Sequence, residues 1–62
     1  MADKTLSLAE RMKVFQALVD AQDRGMAVAK SRSTIAEPFR IGEEQVRRIE
    51  QEGLEGNWPP LG

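Results

Sequence analysis

The sequence predicts an all-α fold of about three helices, with a helix-turn-helix in the C-terminal half and an extended Trp-Pro-Pro tail. Three observations predict it. Apolar residues recur at helical spacing from Leu8 to Val19 and again from Ile35 to Ile49. Gly25, Gly42 and Gly53 fall where those stretches begin or end. No stretch carries a strand signal, and no internal repeat is present. At 62 residues the chain is one domain, 1–62, with one small core.

The first helix is expected over 8–24. Ser7-Leu8-Ala9-Glu10 reads as a capping box, in which the serine accepts from the backbone three residues on and the glutamate reaches back. Leu8, Met12, Phe15, Leu18 and Val19 form its apolar stripe. Gly25 is suited to the left-handed conformation that closes a helix. The middle admits two readings. Ser31 or Ser33 caps a second helix that holds Ile35, Ala36 and Phe39, or a single helix runs on from Ala27. The last helix has Gly42 as N-cap. Glu43 and Glu44 lie in its first turn, where negative charge suits the helix dipole. Val46 and Ile49 are its buried stripe. Gly53 is expected to end it, with Leu54 touching Ile49 across a Schellman closure. Two prolines then predict extended backbone over the tail, 54–62.

Composition excludes several classes of function. There is no Cys and no His. Disulfides, thiolate metal sites, Cys or His catalysis and nearly all zinc sites are therefore ruled out. No nucleophile constellation or phosphate-cradling glycine loop is visible. The chain is read as no enzyme, with no cofactor and no metal. No apolar run reaches the length of a membrane span, and MADKTLSLAE lacks a signal-peptide pattern. A cytoplasmic protein is expected.

Charge is placed unevenly around a net of −1. Residues 26–48 hold Lys30, Arg32, Arg40, Arg47 and Arg48 against Glu37, Glu43 and Glu44. The last fourteen residues hold only Glu50, Glu52 and Glu55. The middle is mildly basic and the tail acidic.

Within 33–53 the apolar spacing has a specific form. A helix-turn-helix locks two short helices at a fixed angle across a tight turn. It needs an apolar, a small and an apolar residue before the turn. One apolar residue follows in the turn, and two more lie three apart on the second helix. Ile35, Ala36, Phe39, Ile41, Val46 and Ile49 fill those places. The segment TIAEPFRIGEEQVRRIEQEGL, Thr34 to Leu54, resembles the promoter-reading helix-turn-helix of bacterial sigma factors and related small bacterial regulators. The resemblance implies double-stranded DNA as partner, a transcription-related role, and a second helix that enters the major groove. It places Glu44, Gln45, Arg47 and Arg48 at the bases and phosphates.

The helical wheel adds its own argument. At 100° per residue, Glu44, Arg47, Arg48 and Gln51 lie opposite Val46 and Ile49. Arg pairs with guanine, Gln with adenine, and Glu accepts from cytosine. Arg40, Arg32 and Lys30 are candidate phosphate contacts. The same residues also read as a solvated face, through i,i+4 pairs Glu43–Arg47 and Glu44–Arg48.

Two positions depart from the pattern. Arg40 stands where the turn favours glycine, at a cost of about 1–2 kcal/mol. Pro38 either sits late in the second helix or begins a longer helix, Pro38 to Glu52, that leaves no turn. Trp58, Pro59, Pro60 and Leu61 have two readings: a docking peptide for an aromatic-lined groove, or a tryptophan folded onto the core. A homodimer through the first helix, or a seat in a larger complex, is expected, since one module buries little DNA. The other functional reading is a protein–protein adaptor that keeps the shape without binding DNA.

Overall fold

The computed structural model describes residues 5–61. Three helices form: α1 Leu8–Asp23, α2 Val28–Phe39 and α3 Glu43–Gly56. Each packs against the other two, and no strand occurs among the described residues.

The start of α1 follows its sequence signal. Glu10 N–H donates to Ser7 Oγ at 3.2 Å, and Ser7 N–H donates to Glu10 Oε1 at 3.0 Å. The stripe, however, is centred differently from the expectation. Val14, Phe15 and Leu18 are fully buried, whereas Leu8 is 53% exposed. Leu6, ahead of the cap, takes the inward place instead, and its carbonyl accepts from Arg11 Nη1 at 2.7 Å. The reason is that α1 serves two neighbours, so its buried arc lies between them.

α2 starts at Val28, earlier than a serine cap would place it, and Ala27 offers no side-chain cap. The serines bond backwards. Ser31 Oγ donates to the Val28 carbonyl at 2.6 Å and Ser33 Oγ to the Lys30 carbonyl at 3.0 Å. Inside a helix a hydroxyl can satisfy itself this way and need not cap. Pro38 lies within α2, one residue from its end. The longer helix from Pro38 to Glu52 is not formed, because the chain turns at Arg40 and restarts at Gly42.

All three helices close with a Schellman motif. After α1, Gly25 (φ 97°) donates to the Gln22 carbonyl at 3.0 Å and Met26 to that of Ala21 at 3.1 Å. After α2, Arg40 (φ 57°) donates to Glu37 at 3.0 Å and Ile41 to Ala36 at 3.1 Å. After α3, Asn57 (φ 53°) donates to Leu54 at 3.5 Å and Trp58 to Gly53 at 3.0 Å. Met26, Ile41 and Trp58 are each half-buried, so every closure turns an apolar side chain inward.

Gly53 therefore does not end α3 as expected. It lies inside the helix, buried, with the Phe15 ring against its Cα. A Cβ there would fall within the ring. Leu54 is 56% exposed and is not the closing contact. The core has two joined parts. Leu6, Val14, Phe15 and Ile49 form one; Leu18, Ala36 and Val46 form the other. Ile35 and Ile41 pack against both.

The tail also departs from the extended form. Leu61 N–H donates to the Trp58 carbonyl at 2.8 Å, which makes a turn over the two prolines. No helix among the described residues is long and apolar enough to cross a membrane.

Candidate functional site

The candidate face is built by α2, the short turn and α3. Ala36 on α2 and Val46 on α3 share one part of the core. Their burial sets which side of α3 looks outward. Val46, Ile49 and Gly53 face in. Glu44, Arg47, Arg48 and Gln51, on the opposite arc, are all exposed. The structure thus brings four of the predicted side chains onto one face.

Gln45 does not belong with them. It is 9% exposed and counts among the buried residues of α3. At 100° per residue it lies one step from Val46, close enough to the inward arc to be covered by the neighbouring helices. Its place in the family pattern had suggested the groove.

The cations are divided. Arg40 is exposed in the turn, with its left-handed backbone immediately ahead of α3. Lys30 is exposed on α2. Arg32 is already engaged, with its Nη2 2.8 Å from Glu50 Oε1, and its side chain is only 28% exposed. That pairing engages the guanidinium that was expected to reach phosphate. Arg47 Nη1 lies 3.8 Å from Glu44 Oε2, with both side chains more than half exposed. Such a pair contributes little, and Arg47 stays accessible to solvent. Gln51 Nε2 donates to Glu55 Oε2 at 3.3 Å.

In the tail, the tryptophan is engaged with the core. Trp58 is half-buried and stands edge-on to Phe15, with ring centroids 6.0 Å apart and planes at 89°. This is a favoured aromatic geometry, and it fits the reading of a tryptophan folded onto the core. Pro59, Pro60 and Leu61 remain exposed.

One group of polar residues was not legible as a unit. Gln22 on α1, Ser31 and Arg32 on α2 and Glu50 on α3 join in a single hydrogen-bonded network. The available signal was weak: Glu50 sits next to Ile49, at the edge of the buried stripe. A second link ties α1 to α3, with Arg11 Nε 3.1 Å from Glu52 Oε1.

No family model, curated protein or solved structure matches the chain.

Proposed function

We propose that the chain is a DNA-binding module of a transcription-related kind, in which α2, the turn and α3 act as a helix-turn-helix. The observation that carries this reading is the outward arc of α3. Glu44, Arg47, Arg48 and Gln51 are long, polar and exposed, opposite a fully packed inward arc. Arg47, Arg48 and Gln51 contact base edges and phosphates in the major groove, and Arg40 and Lys30 contact the phosphate backbone beside it. The module performs no chemistry; it occupies or recruits. One such helix buries little DNA, so it acts as a homodimer, through the first helix, or within a larger complex.

The test is binding to random-sequence duplex DNA across a salt series. Each copy presents at most four cations to this face, so log affinity should fall against log salt with a slope of about −2 to −4 per copy bound. Arg47→Ala with Arg48→Ala should lower the slope by about 2 per copy. Unchanged binding by that variant would end the groove-reading model.

A second reading is favoured by a specific observation. Arg32 is held by Glu50, and Glu44 lies beside Arg47, so the face is close to neutral. An adaptor that docks another protein needs no more than that. Absence of binding even at low salt would select it.

A further inference from the structure

Glu50 carries a carboxylate that the outward face of α3 does not use. Its two oxygens are tied to two different helices. Oε1 accepts from Nε and Nη2 of Arg32 on α2, at 3.0 and 2.8 Å. Oε2 accepts from Nε2 of Gln22 on α1, at 3.3 Å. The same nitrogen donates to Ser31 Oγ at 3.1 Å, and fully buried Ser31 donates in turn to the Val28 carbonyl. The Glu50 side chain is only 16% exposed.

Between α2 and α3 the apolar contacts are made by Ala36, Val46 and Ile35, with Ile41 of the turn. Burial of apolar surface is non-directional, so the α2–α3 contacts alone set the roll of α3 loosely; against α1 it is restrained by the close approach of Gly53 to Phe15. The carboxylate is directional. A roll by one residue turns Glu50 through about 100° and carries it away from both donors. It leaves the partly buried Arg32 guanidinium without its counter-charge, which is unfavourable.

We propose that Glu50 is a positioning residue. Held by Arg32 and Gln22, and acting with the Gly53–Phe15 contact, it fixes the rotation of α3, chiefly against α2, and with it the direction in which Arg47, Arg48 and Gln51 face. The effect on DNA rests on the function proposed above; the effect on packing does not.

The first arm uses the free protein and two variants, Glu50→Gln and the apolar triple Gln22→Leu, Arg32→Met, Glu50→Leu. The triple variant should keep its helical circular dichroism and its cooperative urea transition. Its amide resonances over 43–56 should broaden or double, as α3 samples more than one rotation. One sharp set of resonances, with native proton–proton contacts between Phe15 and Gly53 and between Ala36 and Val46, would overturn the proposal. If the triple variant fails to fold, Glu50→Gln is read by the same two criteria. The second arm compares a selected duplex with random duplex at a temperature where Glu50→Gln is fully folded. The preference for the selected duplex should fall roughly ten-fold, the scale of one misdirected base contact, while random-duplex binding barely changes. Equal loss on both duplexes would count against positioning. If the unaltered protein binds no DNA, the functional reading fails and the resonance arm alone decides the role of Glu50.

Discussion

A glycine inside a helix normally weakens it by about 1 kcal/mol relative to alanine. At Gly53 the sign reverses. The Phe15 ring occupies the space a Cβ would need, and Phe15 is fully buried, so it has nowhere to retreat. Gly53→Ala should destabilise the protein by about 1–3 kcal/mol, as overpacking does, seen as a lower urea midpoint. Gly42 makes the contrast. No atom lies near its Cβ position, and its φ of −82° suits any residue. Arg40 is the opposite case. Its φ of 57° is strained for a residue with a side chain. Arg40→Gly should stabilise the fold by about 0.5–1 kcal/mol, after the greater freedom of glycine in the unfolded chain is offset. If Arg40 contacts phosphate, the same change should weaken DNA binding. Opposite signs in the two measurements would separate a binding role from a structural one.

Among the elements, α1 was the most legible. Its capping box, its start and its closing glycine all fall where the pattern puts them, because each is a local device read from adjacent residues. Ser7→Ala should cost about 1 kcal/mol, with the loss visible in thermal melts. The ends of α2 and α3 were less legible for a physical reason. Ser31 had two ways to satisfy its hydroxyl, and burial against Gln22 selected the internal one. Gly53 had two uses, closure or close approach, and the choice depended on Phe15, far away in sequence. Asn57 then took the closing role, which Asn tolerates better than most residues. The exposed arc of α3 followed from the wheel alone, but Gln45 did not, since its burial is decided by the neighbouring helices. The Arg32–Glu50 link was equally out of reach, because a pairing across eighteen positions leaves no periodic trace.

As a whole, the molecule is packed as tightly as a folded domain of its length should be. Its radius of gyration is 10.6 Å, and the expectation for this length is about 10.6 Å. It reaches this with no Cys and no His to staple it. Stability for a chain this size is on the order of 3–9 kcal/mol, so few side chains can be removed without unfolding it. Trp58 is one that matters. It covers Phe15 from outside both α1 and α3. Trp58→Ala should cost about 2–4 kcal/mol, somewhat below the loss for a fully buried aromatic. A large unfolded fraction at 37 °C by circular dichroism is the expected outcome. A variant as stable as the parent would show that the tail merely rests on the core.

Trp58 has a practical consequence as well. It is the sole tryptophan, and the chain has no tyrosine, so near-ultraviolet emission comes from this single indole. The dye sits at the seam between the tail and Phe15. Arg47, Arg48 and Gln51 look the other way. Intrinsic fluorescence will therefore give a large signal on denaturation and almost none on occupancy of the outward arc. A flat titration curve says nothing about affinity, and a label placed on that arc is needed to see a ligand arrive.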